Sequence, residues 1–206
     1  LYSAVVGDIL DSLGFRRQFL PKEIQPLDPS LVLAGRAMPV LVMNAFGERE
    51  ASRPFGRLTE AVDQMGPGEI WTAAGSSGEY ALWGELLSTA ARARRAAGAV
   101  VDGPLRDSAG ILRMKFPAFC RGRYAQDLRT RGEIADFRLP IAVGGVEIRP
   151  GTLLVGDIDG VVAVPPEAER EVLTRAFEKA RGEKVVKRKL EEGMSTTEAF
   201  ETYGIL

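Results

Sequence analysis

Three residues stand at a spacing that can do chemistry: Glu85, Arg106 and Asp107, with twenty residues between the first and the second. Glu85 follows Gly84 near the start of an Ala/Arg-rich stretch that reads as a helix. Arg106-Asp107 falls just past residues 99–102, an apolar run ending in an acid, as a buried parallel strand does. Strand, helix and strand at this spacing imply a right-handed crossover, with ligands bound beyond the carboxyl ends of the strands. A carboxylate at a helix start and an Arg-Asp pair in that crevice can together hold a divalent cation and an anionic small molecule.

The residue types suit one another. A helix start presents unpaired N–H groups and a positive dipole end. If the helix begins near Gly84, the amides of Leu86 and Leu87 can bind a small carboxylate, and Gly84 lets that ligand approach the backbone. Arg106 offers a planar fork for a carboxylate or a developing enolate. Asp107 is a single carboxylate anchor for Mg²⁺, which keeps several waters when its protein ligands are few. Glu85 can hold one of those waters. Taken alone, Arg106-Asp107 also fits a surface ion pair, and Gly84-Glu85 also fits a helix cap.

Composition narrows the chemistry. The chain has 206 residues, net charge −1, one cysteine and no histidine. Without histidine there is no Ser-His-Asp triad, no His-ligated zinc and no imidazole acid or base. Hard oxygen ligands then favour Mg²⁺ or Mn²⁺. Cys120, in the apolar run FPAFC, reads as a packed thiol. The near-zero net charge gives no field for nucleic acid or acidic membranes, and no apolar run is long enough to span a bilayer. A reducing, cytoplasmic setting is expected. The first residue is Leu1, not Met, so the chain is expected to start after a missing beginning, which leaves a targeting segment open.

The elements that must position these residues follow from periodicity. Residues 3–13 read as a helix with Ser3 as N-cap and Gly14 as its end. Residues 31–43 carry strand-like apolar positions broken by Gly35 and Pro39. Residues 58–65 read as a short helix, 69–74 as a strand and 75–78 as a loop. The next helix is expected over 81–97. Leu82, Leu86, Ala90, Ala93 and Ala97 would share its apolar face, Arg92, Arg94 and Arg95 would be solvated, and Gly98 would be the C-cap. Residues 139–143 and 146–148 flank Gly144-Gly145 as a hairpin. Residues 153–157 and 161–164 flank the Asp159-Gly160 turn, where Asp157 and Asp159 read as turn chemistry rather than a calcium loop. Pro165-Pro166 opens a long helix with Glu167, Glu169 and Glu171 at its positive end. Val172, Leu173, Ala176 and Ala180 give that helix an apolar stripe, and a solvated basic run, Lys184, Lys187, Arg188 and Lys189, lies near its end. No internal repeat, linker or domain boundary is visible, so residues 1–206 read as one domain.

The blocks GEYALWGELL, VVDGPLRDS, FPAF, IAVGGVEIRPGTLLVGDIDGVVAVP and the closing EAFETYGIL together resemble the RraA-like family over about residues 6–206. That family holds class II 4-hydroxy-4-methyl-2-oxoglutarate / 4-carboxy-4-hydroxy-2-oxoadipate aldolases and the regulator of ribonuclease E activity. The resemblance implies an α/β fold, a swivelling β/β/α domain with a long C-terminal helix, assembled as a homotrimer or hexamer. It implies that Asp107 coordinates Mg²⁺ or Mn²⁺ and that Glu85, where the family more often has Asp, contacts the metal through water. Arg106 would contact a small 2-oxo acid, and Gly84, Glu85, Leu86 and Leu87 would bind it through the backbone. A further acid would come from a neighbouring subunit's C-terminal part, with Glu191, Glu192 and Glu198 as candidates. The implied activity is pyruvate aldolase with oxaloacetate decarboxylation, a metal-bound water serving as proton shuttle. A Schiff-base route through Lys22 or Lys115 ranks below it. The rival from another class is a non-catalytic regulator that binds ribonuclease E or another protein. A methyltransferase reading is discounted, because the chain has no G-x-G cofactor loop.

Overall fold

The computed structural model describes residues 1–45 and 54–205. In chain order its elements are α1 (Ser3–Ser12), β1 (Gln25–Pro26), β2 (Leu33–Asn44), α2 (Leu58–Asp63), β3 (Glu69–Ala74), α3 (Glu85–Ala93), β4 (Gly98–Val101), α4 (Ser108–Met114), β5 (Ala118–Cys120), β6 (Gly132–Phe137), β7 (Ile141–Val143), β8 (Val146–Ile148), β9 (Leu153–Asp157), β10 (Gly160–Val164), α5 (Glu169–Glu191) and α6 (Thr196–Tyr203). The fold is α/β, and a long C-terminal helix, α5, is part of it, as expected.

One sheet organises the molecule, in the order β1-β5-β4-β3-β2-β9-β10, with β6 also paired to β2. Its β2-β3-β4-β5 part is parallel, with helices crossing over between β3 and β4 and between β4 and β5. Beyond β2 the sheet turns antiparallel. The segment before β1 runs back to the far edge, where the Leu20 N–H donates to Val161 O and the Ala163 N–H to Gln18 O, at 2.9 and 2.8 Å. The sheet is thereby almost closed into a barrel, which leaves few unpaired edges.

Alternation explains the apolar runs. In β3, Ile70 and Ala74 face one core while Trp71 and Ala73 face another; in β4, Val100 and Val101 divide the same way. In β9 and β10, Leu154 and Val161 point into the barrel, and Val155 and Val162 point out under α1 and α5. A strand buried on both faces needs an apolar residue at every position, so it reads as a continuous run. The β7–β8 hairpin caps the barrel interior with Ile141, Val143, Val146 and Ile148.

Several sequence expectations need correction. The helix expected over 81–97 is α3, starting at Glu85 and ending at Ala93. Residues 81–83 are buried and lie outside the helix, held by the Ala81 N–H on Gln126 O and the Leu82 N–H on Pro104 O. The proposed stripe therefore dissolves: Leu82 and Ala97 lie outside the helix and Leu86 is 83% exposed. Ser88 and Ala91 face inward instead, with Leu87 and Ala90 packed beside them. Gly98 is not the C-cap. Arg94 is, and the chain leaves the helix through Arg95 at φ 60°. Gly98 opens β4, where a Cβ would lie 2.4 Å from Leu33 Cδ1 and 2.5 Å from Pro117 O, so close strand packing requires glycine there. Arg94 is not simply solvated, because it pairs with Asp63 of α2.

Ser3 is likewise not the N-cap of α1; Tyr2 is. Ser3 uses both its N–H and its hydroxyl to reach Asp157, at 2.6 and 2.7 Å. Asp157 also accepts from the Asp159 N–H, so the turn reading of this acid holds and is joined by a capping role. The expected helix 3–13, the strands 69–74 and 153–157 and the hairpin at Gly144-Gly145 agree with the structure to within a few residues. No sequence signal was assigned to β1, α4, β5, β6 or α6.

Candidate functional site

The site forms where three chain segments are stitched together beyond the ends of β3, β4 and β5. The Arg106 N–H donates to Trp83 O at 2.9 Å, the Leu105 N–H to Gly122 O at 3.0 Å and the Tyr124 N–H to Leu105 O at 2.9 Å. An isolated parallel bridge joins Ala81 to Asp127. These backbone bonds set Gly84, Arg106, Asp107 and Asp127 around one cavity of about 220 Å³. Drug-sized pockets run to about 300–1,000 Å³, so this one suits a small metabolite.

Local packing fixes where α3 begins. Trp83 is buried between Trp71 and Phe116, with ring centroids 5.2 and 6.3 Å away. Its Nε1 donates to Ser88 Oγ at 2.7 Å, and Ser88 Oγ donates to Gly84 O at 3.0 Å. The Ser88 N–H bonds to the same carbonyl and is the first to close the helix. The amides of Glu85, Leu86 and Leu87 thus have no partner within α3, and the positive end of the helix dipole lies with them at the cavity wall. Gly84 is extended, at φ −159°, so it is not there for backbone freedom. It is there for space: a Cβ would lie 2.8 Å from Asp107 Oδ2.

Asp107 is the N-cap of α4 in a left-handed conformation, φ 56° and ψ 33°, and its side chain makes no capping hydrogen bond. An Asp at this position ordinarily caps the helix. Here the carboxylate gives up that bond and borders the cavity beside Gly84. A non-glycine residue held in the left-handed region is a local cost of the kind that gathers at functional sites. Arg106 is half-buried between two carboxylates, with Nε 3.6 Å from Asp107 Oδ2 and Nη1 3.4 Å from Asp127 Oδ1.

Of the residues singled out in the sequence, Gly84, Leu86, Leu87, Arg106 and Asp107 line this one cavity. Glu85 does not. Its carboxylate lies against the first turn of α4, where a Cβ on Gly110 would sit 2.0 Å from Glu85 Cδ, and Arg113 is 3.8 Å away. Glu85 therefore approaches the helix that Asp107 opens without facing the cavity. Lys22 and Lys115 are exposed and line no part of it. Glu191, Glu192 and Glu198 are exposed at the end of α5 and on α6, also outside it. Burial pushes the Cys120 thiol up, which suits packing rather than nucleophilic work. Asp127 was missed, because nothing local in the sequence marks it; it reaches Arg106 only through the long-range bridge to Ala81.

Among the described residues, no group of three or more His, Cys, Asp or Glu side chains is placed to hold a metal ion. A cation at this site would rest on Asp107 and water. That fits Mg²⁺, which keeps much of its hydration, and Mn²⁺, and it does not fit zinc. Among the described residues no helix is long and apolar enough to cross a membrane.

Comparison with known proteins gives the following. The family model Aldolase/RraA, RraA-like, matches residues 3–163. A protein of Halalkalibacterium halodurans named "Putative 4-hydroxy-4-methyl-2-oxoglutarate aldolase" is 32% identical over 196 residues, covering 95% of this chain and 87% of its own. A crystal structure of an uncharacterized protein from Pseudomonas syringae pv. tomato superposes with TM-score 0.86 at 29% identity, over 97% of this chain and 89% of the other. Streptomyces coelicolor RraAS2, described as an unusual member of the RNase ES inhibitor RraA protein family, gives TM-score 0.80 at 27% identity over 91% of each chain.

Proposed function

The chain belongs to the RraA-like Aldolase/RraA family, and we propose that it is a divalent-metal-dependent pyruvate aldolase. Its substrate is 4-hydroxy-4-methyl-2-oxoglutarate or a related 4-hydroxy-2-oxo acid, with oxaloacetate decarboxylation as a side activity. The observation that carries this reading is Asp107, a strained helix-capping acid that leaves its capping bond unmade and borders a small cavity beside Arg106 and a free helix start.

Each residue has a task. The amides of Leu86 and Leu87 bind the substrate carboxylate, and Gly84 allows it to come close. The Arg106 guanidinium meets the negative charge that develops on the 2-oxo oxygen, and Asp127 fixes the direction of its fork. Asp107 would hold Mg²⁺ or Mn²⁺, and Glu85 would reach a coordinated water only by turning from its place against α4 toward the cavity; the cation would supply Lewis acidity to the 2-oxo acid. In cleavage, the C4 hydroxyl loses its proton to water, the C3–C4 bond breaks, and its electron pair remains on C3 as the enolate. Protonation of C3 by water yields pyruvate. Buried Trp83 and Leu82 form a dry floor that strengthens these charge interactions. The protein works as a homotrimer or hexamer in the cytoplasm, and a neighbouring copy brings a further acid, drawn from Glu191, Glu192 and Glu198.

The test is pyruvate release from 4-hydroxy-4-methyl-2-oxoglutarate and from oxaloacetate, with Mg²⁺ or Mn²⁺ and with EDTA. Metal-dependent release is expected, and Asp107→Ala should lower it at least a thousandfold while the circular dichroism spectrum stays that of the folded protein. Wild-type rates in that variant would refute the site. The likeness to RraAS2 supplies the rival, a non-catalytic regulator binding ribonuclease E or another protein. Stoichiometric capture of such a partner without 2-oxo acid turnover would favour it.

A further inference from the structure

We infer that Asp127 is the final acceptor of the proton that leaves the substrate's C4 hydroxyl, taking it through a water in the cavity. The inference rests on the aldolase reading and adds a task for one residue of the same site. The backbone fixes Asp127 from both sides. The Ala81 N–H donates to Gln126 O at 2.8 Å, and the carbonyl of Leu128, itself buried in the core, accepts from the Arg131 and Gly132 N–H groups, both at 2.9 Å. Between these anchors the Asp127 side chain borders the cavity, with 35% of it open to solvent. Among the described residues its carboxylate meets Arg106, at 3.4 Å. A carboxylate offers about four acceptor positions, so water in the cavity can still donate to it.

The Arg106 guanidinium ties this acid to the charge that forms during cleavage. Before the reaction Arg106 faces two carboxylates, Asp107 and Asp127. The C4 hydroxyl proton passes to water and from that water to Asp127. The C3–C4 bond breaks, C4 becomes a carbonyl carbon, and the electron pair of the broken bond forms the enolate. One negative charge therefore leaves the Arg106 fork, at Asp127, as another arrives on the 2-oxo oxygen. The same guanidinium serves both, and the net charge around it stays constant through the step. In a half-buried site this avoids leaving a charge without a partner. The proton then returns through water to C3, which completes pyruvate and leaves Asp127 ionised as it began. One C–C bond breaks, one C–H bond forms, and no oxidant or reductant is consumed.

Loss of CO₂ from oxaloacetate forms the same enolate but has no hydroxyl proton to remove. The ratio of the two reactions therefore isolates the proton acceptor from everything that serves both. Asp127→Asn keeps an oxygen that accepts from Arg106 and removes the carboxylate's affinity for a proton. In the metal-loaded protein, kcat for cleavage of 4-hydroxy-4-methyl-2-oxoglutarate should fall about a thousandfold. Decarboxylation of oxaloacetate, corrected for the rate with metal alone, should fall by no more than about tenfold, the cost of a looser Arg106. Asp127→Glu restores a carboxylate and should return the ratio to within about tenfold of the wild-type value. Both rates are read on one sample, so any unfolded fraction cancels in the ratio. A residue that only orients Arg106 would slow both reactions by the same factor. Equal loss, or no loss of cleavage, would overturn the inference and leave the aldolase reading standing. Wild-type protein that releases pyruvate from neither compound would overturn both.

Discussion

Arg106 shows how much one side chain's geometry decides. Its guanidinium lies between Asp107 and Asp127 at 3.6 and 3.4 Å, and a planar fork can address both acids while still presenting donors to a ligand. A lysine ammonium is a point charge on a flexible stem and can meet one of them at a time. Arg106→Lys should therefore lower kcat/KM by about a hundredfold, ~2.7 kcal/mol of transition-state stabilisation. The loss should fall mainly on kcat, because the amides of α3 still bind the ground-state carboxylate. Steady-state kinetics at saturating metal would check this, and an unchanged kcat/KM would remove Arg106 from the chemistry. Arg106 and Asp107 were visible in the sequence because they follow an apolar strand-like run and stand at a set spacing from Glu85, whereas an Arg-Asp pair taken alone also fits a surface ion pair. The sequence could not make Asp127 visible, since the contact depends on a bridge between segments more than forty positions apart.

At the scale of elements, the informative pair is α3 and α4, two short helices whose starts converge. Gly110 lies in the first turn of α4 under the Glu85 carboxylate, and a methyl group there would meet it at 2.0 Å. The neighbour is the far end of a flexible side chain, so the chain can yield without moving backbone. Alanine also favours helix over glycine by about 1 kcal/mol. Gly110→Ala should therefore leave the thermal midpoint equal or slightly higher while turning Glu85 away. If Glu85 holds a metal-bound water, Mn²⁺ affinity measured by titration calorimetry should fall several-fold in this variant. Unchanged Mn²⁺ binding with Glu85 displaced would assign Glu85 to packing. The start of α3 shows the limit of periodicity. Leu82, Leu86 and Ala90 are spaced as a helix face, yet residues 81–83 belong to the stitched segment beneath it. What sets the boundary is the Trp83–Ser88–Gly84 hydrogen-bond chain, which periodicity does not encode. Strands buried on both faces, β3 and β9 among them, were legible because their interiors are nearly continuous apolar runs, Thr72 being the exception in β3. β1, β5 and β6 were not, being either two or three residues long or half-polar at the sheet margin.

For the whole molecule, the site depends on a nearly closed sheet whose antiparallel margin, the last two strands, lines no part of the cavity. β9 and β10 form the antiparallel margin, and α1 and α5 lie across their outer face. Asp157, at the end of β9, joins these parts. It accepts from the Ser3 N–H and hydroxyl at the start of α1 and from the Asp159 N–H in the turn that starts β10. A capping acid is worth about 0.5–2 kcal/mol, and the buried Ser3 hydroxyl left without its acceptor adds about 1–3 kcal/mol. Asp157→Ala should then destabilise the fold by about 1.5–5 kcal/mol, seen as a lower denaturant midpoint with an unchanged slope. Because this margin lies across the sheet from Gly84, Arg106 and Asp107, kcat/KM should remain at the wild-type value under conditions where the variant is folded. A parallel loss of activity in the folded variant would mean that the two margins are coupled through the sheet. Intact activity at reduced stability would mean that the GDIDG segment is a fastening for the scaffold, as its turn chemistry and its bonds to α1 indicate.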